Sequence, residues 1–300
     1  MRASTDQLIG SPPATALAFL LGRSQLRVLA FHGILDTAGF RQQMEWLVGH
    51  CTPVTASQVV DAFSGVPLPP RAVWVTFDDG HPSVVENGLP VLESFEIPAT
   101  MFICPGVIDT NKPFWWQVIE KGMDLAIDSD KHTLSNTDLI RAKALPDPVR
   151  RRFVDQVLDR IEEISGMPFT SPQLSTADLR LWVEHGHSLG NHTWDHPILD
   201  QCTHDEQRRQ VVLAHEWMVG NLNPDLLLFA YPNGNWTKSS EEVLRLFGYH
   251  AATLFDHRVS DVVDPLTISR LRTNADGDLS RFRATVSGTH PFLHRLKGRS

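Results

Sequence analysis

Two rhythms of apolar residues alternate along this chain. Short β-branched and aromatic runs of strand length occur at residues 26–31, 72–77, 99–103, 226–231 and 251–255, with shorter candidates at 188–191 and 266–268. Between them the spacing turns helical. Phe40, Met44, Leu47 and Val48 form one stripe, and Val59, Val60 and Phe63 form another behind a capping Thr55. Val84, Val85, Leu89, Leu92 and Phe95 predict a helix interrupted at Gly88 and Pro90. Leu179, Trp182 and Val183 follow the acidic start Ser175-x-x-Asp178. Val211, Val212, Trp217 and Met218 follow a capping box, Thr203-x-x-Glu206. Val243, Leu244 and Phe247 follow Ser239-x-x-Glu242 and stop at Gly248. Repeated strand-then-helix units predict a parallel α/β fold, either a barrel or a doubly wound sheet. In both, polar residues just past the strand C-termini make the site.

Residues 111–170 break the rhythm. Phe114, Trp115 and Trp116 cluster there, and Val149, Phe153, Val157, Ile161 and Ile164 mark an amphipathic helix ending at Gly166. This stretch reads as a helical insertion in one domain spanning residues 1–300, since no Ser/Gly linker or internal repeat supports a second domain.

Composition narrows the function. The net charge of −8 argues against nucleic acid as a partner. Arg281, Arg283, Arg295, Lys297 and Arg299 read as a solvated tail. The three cysteines, Cys51, Cys104 and Cys202, form no Cys-x-x-Cys pair, so neither a disulfide framework nor a cysteine zinc site is expected. No run approaches the ~20 apolar residues of a membrane span. With no signal-peptide pattern at the start, the expected location is cytoplasmic.

Two stretches carry chemistry. The run at 72–77 ends in Asp78 and Asp79. Successive side chains on a strand face opposite ways, so two adjacent carboxylates serve one site only where the strand ends and the backbone turns. Gly80 permits that turn. The bland alternative is a polar Asp-Gly turn. The second stretch is Gly190-Asn191-His192-Thr193-Trp194-Asp195-His196-Pro197. Two imidazoles and one carboxylate suit zinc or a similar divalent ion and leave a coordination position open, as in catalytic sites. The bland alternative is a pair of ordinary loop histidines among the chain's fourteen.

Taken together, Thr-Phe-Asp-Asp-Gly followed by His-Thr-x-x-His-Pro resembles the polysaccharide deacetylases of carbohydrate esterase family 4, the NodB-homology domain. The likeness spans residues 26–275. It implies an irregular (β/α) barrel of seven or eight strands with a helical insertion, and metal-dependent removal of acetyl groups from an N-acetylated sugar in a polysaccharide or glycan precursor. By position, Asp79, His192 and His196 would hold the ion, with Zn2+ the default and Co2+ or Ni2+ also compatible. Asp78 would be the general base, and a backbone N–H in the turn Tyr231-Pro232-Asn233-Gly234 would face the oxyanion. Asn233 stands at the family's aromatic position. Tyr231, Asn233 and Trp194 are the expected oxyanion and substrate contacts.

The chain departs from the family in two further places. Ala230 replaces the arginine that orients the catalytic aspartate, and Arg270, just past the run at 266–268, is expected to reach in its place. The late Leu-x-His that supplies the general acid has no copy, because His257, His290 and His294 stand in another pattern. His32, which ends the first strand after an aromatic residue as in exopolysaccharide and adhesin deacetylases, is the expected acid. Its alternative is a histidine bonded in the core. Trp115 and Trp116 are candidates to line a lid, Trp236 to stack on a sugar, and Asp195 to support the histidines. A glycan-binding protein with a degenerate site, and a phosphatase with an aspartate nucleophile, are the rival functions.

Overall fold

The computed structural model describes residues 8–128 and 133–296. Lys297 and Arg299 of the expected basic tail lie outside them. Eight parallel strands among the described residues form one sheet: β1 Arg27–Phe31, β2 Thr52–Pro53, β3 Ala72–Phe77, β4 Ala99–Ile103, β5 Ser188–Asn191, β6 Leu228–Ala230, β7 Ala251–Thr253 and β8 Leu271–Arg272. Their order is β7-β6-β5-β4-β3-β1-β8, with β2 also beside β3. The two ends of this order are joined by one segment. Thr253 of β7 makes a parallel bridge to Ile268, and directly after Arg270 the same segment is β8, paired with Leu29 and Ala30 of β1. The sheet therefore curls into an irregular (β/α) barrel. The run expected as a strand at 266–268 contributes only that bridge; β8, two residues long, gave no periodic signal.

Alternation sorts the strands. Leu29, Phe31, Val73, Val75, Phe77, Met101 and Ile103 pack outward with the surrounding helices. Val28, Ala30, Trp74, Phe102, Leu228 and Ile268 sit on the other face, where the Trp74 indole donates to Thr100 Oγ1 at 2.9 Å. Strand register levels the C-termini. Phe31 pairs with Phe77, Ile103 with Asn191, Asn191 with Phe229, and Ala230 with Thr253. Whatever follows these residues in sequence meets on one rim.

Helices α1 Pro12–Leu21, α2 Thr37–His50, α3 Ala56–Phe63 and α4 Leu89–Ser94 precede the insertion. A π-helical turn, Val84–Gly88, replaces the start of the helix expected from Val84, ahead of Pro90. Residues 111–170 contribute α5 Trp115–Asp124, α6 Asn136–Ala144 and α7 Asp147–Ser165 around their own apolar cluster, which includes Val118, Ile119, Val157 and Ile161. α7 ends on Gly166 at φ 71°, a left-handed cap that suits a residue without Cβ. α8 Thr176–Glu184 and α9 His204–Asn221 are capped by Ser175 and Thr203 as expected. α10 Lys238–Leu246 starts two residues earlier than the sequence pattern suggests, with Thr237 as cap and buried Ser240 as its partner. α11 Leu279–Ser287 and α12 Thr289–Leu296 close the chain. They correct the reading of a solvated tail for Arg283, which lies on α11 over the Trp46 ring; Arg281 on the same helix is exposed.

Candidate metal centre

β3 ends at Phe77, and Asp78 continues the inward face that carries Trp74 and Thr76. Its backbone N–H still donates to Phe31 O at 2.9 Å, and its side chain is 3% exposed. A carboxylate this deep needs a partner, because removing an ion from water costs several kcal/mol. Arg270, fully buried between the bridge residue Ile268 and β8, supplies it. Its two terminal nitrogens donate to the two carboxylate oxygens, each at 2.7 Å, one of them also to Thr76 Oγ1 at 3.1 Å, and Nε donates to Leu254 O at 2.6 Å. Burial pushes the Asp78 carboxyl up; Arg270, with His192 and His32 nearby, outweighs it and holds the group ionised below the usual carboxylate range.

The next residue turns the chain. Asp79 has φ 69° and Gly80 φ 70°, two left-handed residues in succession. Glycine adopts that region freely and aspartate tolerates it. The Asp79 carboxylate meets two imidazoles there: Oδ1 lies 3.4 Å from His192 Nε2 and 3.3 Å from His196 Nε2. One ligand atom from each of the three residues falls within 4.8 Å of the others.

The loop after β5 presents both histidines. His192 N–H donates to Ile103 O at 2.9 Å, continuing the β4–β5 ladder by one residue. Asn191 then anchors the turn, accepting Thr193 N–H at 2.7 Å and donating to Tyr249 Oη at 2.6 Å and Val211 O at 3.1 Å. Thr193 at φ 71° and His196 at φ 60° are both left-handed, and for a β-branched threonine that is strained. Such strain persists only where surroundings enforce it. Here Thr193 Oγ1 bonds His192 O and accepts His196 N–H, locking the two histidines into one turn.

The proton positions suit a cation. His192 Nδ1 lies 2.7 Å from Ala230 O, a pure acceptor, so Nδ1 carries the hydrogen and a neutral ring turns its Nε2 lone pair toward Asp79. Asp79 Oδ1 is buried without a hydrogen-bond partner among the described residues. Acceptors that face one another across 3.3–3.4 Å repel unless a proton or a cation sits among them. Burial disfavours charging His192 but is outweighed by Asp78 and Asp79, which raise its basicity. Burial dominates at His196 and pushes it down to about 3. Asp79 is held far below the carboxylate range, because its histidine neighbours outweigh its burial. A divalent ion with nitrogen and oxygen donors fits this set.

The insertion walls one side. The Trp116 ring stands edge-on to His196 at 4.6 Å and stacks on Phe114 at 4.4 Å, while Trp115 Nε1 donates to His196 O at 3.2 Å. Asp195 does not touch the histidines. It takes a bidentate pair from Arg151 of α7, both bonds 2.9 Å, and so ties the insertion to the loop. The expected support for His192 comes instead from the Ala230 carbonyl, which no side-chain motif could announce.

His32 is exposed at the rim, close enough to both aspartates to help hold them ionised, with its ring 5.4 Å from Phe255. The core alternative for His32 is thereby set aside. The expectation for Tyr231 is corrected. Its N–H is bonded to Thr253 O at 3.0 Å and its hydroxyl to Leu266 O at 3.1 Å, and the side chain is fully buried among Phe229 and Tyr249. Asn233, at φ 56°, has no acceptor for its backbone N–H among the described residues. The Trp194 indole packs on Gly106, where a Cβ would lie 2.7 Å from Nε1. Trp236 donates to Glu241 at 2.8 Å. A cavity of about 880 Å³ between α1 and α12 borders none of these residues.

Catalytic-type donors gathered on the strand-end rim of a parallel barrel define the class, a (β/α)-barrel hydrolase. The chain belongs to the polysaccharide deacetylase family, whose family model matches residues 65–174 and 171–252. It is similar to the poly-beta-1,6-N-acetyl-D-glucosamine N-deacetylase of Staphylococcus aureus, with 35% identity over 68 residues. That match covers 22% of this chain and 23% of the staphylococcal protein, so it spans less than a quarter of the curated relative. Among solved structures, IcaB from Ammonifex degensii aligns with TM-score 0.62 and 19% identity, over 88% of this chain and 98% of that one. Streptococcus pyogenes deacetylase PplD, solved with acetate, aligns with TM-score 0.62 and 15% identity, over 88% of this chain and 99% of that one. At these identities the two structures establish a shared fold.

Proposed function

We propose that this protein is a metal-dependent N-deacetylase that hydrolyses the acetamide of an amino sugar in a glycan. The observation that carries the reading is the convergence of Asp79, His192 and His196, within 4.8 Å, beside an ionised Asp78 clamped by Arg270. A divalent ion held by those three residues, zinc by donor type, would acidify a water and polarise the acetamide carbonyl. The chain's own groups supply the rest. Asp78 takes a proton from the attacking water, with Arg270 fixing its orientation. The Asn233 N–H is the available donor of its turn for the oxyanion. His32, at the rim, delivers a proton to the departing amine nitrogen. Trp116 and Phe114 exclude solvent from the His196 side.

Two features weigh against the rivals. A degenerate binding protein drew its support from the missing arginine at Ala230, and the bidentate contact of Arg270 with Asp78 supports Arg270 as its replacement. A phosphatase with an aspartate nucleophile separates its two aspartates by one residue, whereas Asp78 and Asp79 are adjacent and Asp79 faces two imidazoles. The test is acetate release from N-acetylglucosamine oligomers by protein of measured metal content, with and without chelator. Chelator-sensitive release restored by added zinc is expected; metal-loaded protein that releases no acetate overturns the reading.

A further inference from the structure

We propose that Lys143 and Arg272 form an anion subsite on the rim of this centre, which receives a carboxylate or phosphate of the glycan beside the acetamido sugar. The inference rests on the deacetylase reading and names the substrate class that it leaves open.

The two cations arrive from distant parts of the chain. Lys143 lies on α6 of the insertion, and its Nζ donates to Asn233 Oδ1 at 3.0 Å. That amide is oriented by a relay. Asp200 can only accept, so it takes an N–H of Asn235 at 2.6 Å; Asn235 Oδ1 then accepts from Asn233 Nδ2 at 2.6 Å, which leaves Asn233 Oδ1 for the lysine. Arg272 ends β8, two residues after Arg270. Its Nε and a terminal nitrogen donate to Phe255 O at 3.0 and 2.6 Å, and the guanidinium lies over the Phe255 ring at 4.7 Å. Gly234 packs so tightly on Phe255 that a Cβ would stand 2.5 Å from its backbone nitrogen. The anchors of the two cations, Asn233 and Phe255, are therefore one ledge, and that ledge adjoins His32.

Neither Lys143 nor Arg272 has an ion pair within 4 Å among the described residues. The acids that face Lys143 are Asp79, engaged with its histidines, and Glu120, whose carboxyl is raised by burial and by Asp124. Asp256 faces Arg272 but accepts from Ser269 Oγ and the Arg270 N–H. Burial first, and then the charge of Arg272, push the Lys143 ammonium below its usual range. Two exposed like charges on one ledge repel one another and are favoured by an anion beside them. A cavity of about 270 Å³ opens beside Arg272, lined also by Asp256, His257, Arg281 and His290, and gives room for a ligand next to the guanidinium. Each turnover unmasks an ammonium on the sugar. A neutral polymer would become cationic and be repelled here, whereas an anionic one would become zwitterionic and stay.

The test compares tetrasaccharides with metal-loaded wild-type protein: neutral N-acetylchitotetraose, an N-acetylglucosamine–glucuronate tetramer, and N-acetylchitotetraose with a terminal phosphate. One anionic substrate is expected to exceed the neutral one by about tenfold in kcat/KM, through KM, the scale of one charge-assisted hydrogen bond. Which one separates carboxylate from phosphate. Lys143→Met and Arg272→Met should each raise KM for that substrate about tenfold more than for the neutral one, and Lys143→Arg should restore most of the difference. Calorimetric binding of the anionic tetramer to Asp78→Asn protein should weaken by the same factor when Lys143→Met is added. Equal kcat/KM on neutral and anionic substrates, or variants that shift both alike, would overturn the subsite and leave the deacetylase reading standing. Lys143-dependent binding by a protein that releases no acetate would do the reverse.

Discussion

His187 and His192 stand at opposite ends of one strand, β5, and both are buried, at 7% and 1% exposure. At the N-terminal end His187 accepts the Ala99 N–H on Nδ1 at 3.1 Å and stacks on Trp182 at 4.3 Å. Burial pushes its basicity down to about 4, with Glu93 too weak to reverse it. At the C-terminal end His192 donates Nδ1 to Ala230 O and turns Nε2 to Asp79, and its basicity is raised. The same side chain at similar burial is thus a neutral packing element on one edge of the sheet and a candidate ligand on the other. Burial alone neutralises an imidazole; burial beside carboxylates builds a site for a cation.

The contrast breaks most visibly in metal content. His192→Ala or Asp79→Asn should abolish both the bound ion and acetate release, while His187→Gln should retain both, as elemental analysis with the acetate assay will read. Equal metal loss in His187→Gln would mean that the two ends are not distinct. Asp78→Asn should keep the ion and lose about a thousandfold in kcat, within the usual range for a general base. His32→Ala should cost about a hundredfold and remove one limb of the pH–rate profile, and an unchanged profile excludes it as the acid. Arg270→Ala leaves Asp78 charged and unpaired, so chemical denaturation should report a loss of about 3–5 kcal/mol. The same variant should turn over sharply more slowly at unchanged metal content; normal turnover would remove its orienting role.

The smallest effect belongs to His187. Its folded value of about 4 lies below the unfolded ~6.5, so the unfolded chain takes up the proton first as pH falls. Its contribution is fully present above pH 6.5 and is lost as pH drops toward 4, with a slope of at most about 1.4 kcal/mol per unit. His187→Gln should flatten that part of the stability curve. If the wild-type curve is already flat there, the imidazole is not held neutral by burial.

Much of the framework was legible because its signals are local. The runs at 72–77 and 99–103 coincide with β3 and β4, and Thr55, Ser175 and Thr203 cap the helices that follow them. Where two local patterns overlap, as in Thr237-Lys238-Ser239-Ser240, the burial of Ser240 chose between them. The site was legible in its donors and not in its supports. Asp79, His192 and His196 follow from motif and spacing. The Ala230 carbonyl that orients His192 and the lysine on Asn233 carry no motif, because each acts through its position alone. Tyr231 shows the converse: its place in the strand-end turn suggested a site contact, and the β6–β7 ladder committed its N–H elsewhere.

By itself the sequence determined which segments alternate, where they turn, and which titratable groups stand at the strand ends. Those are properties of neighbours in the chain, read at periods of two and 3.6 residues. The tertiary structure decided which of those groups are charged and what each one faces. Arg270 neutralises Asp78 across 192 residues of chain only because Ile268 bridges β7 and β8 pairs with β1. Charge interactions act through space, and the closed barrel sets that space.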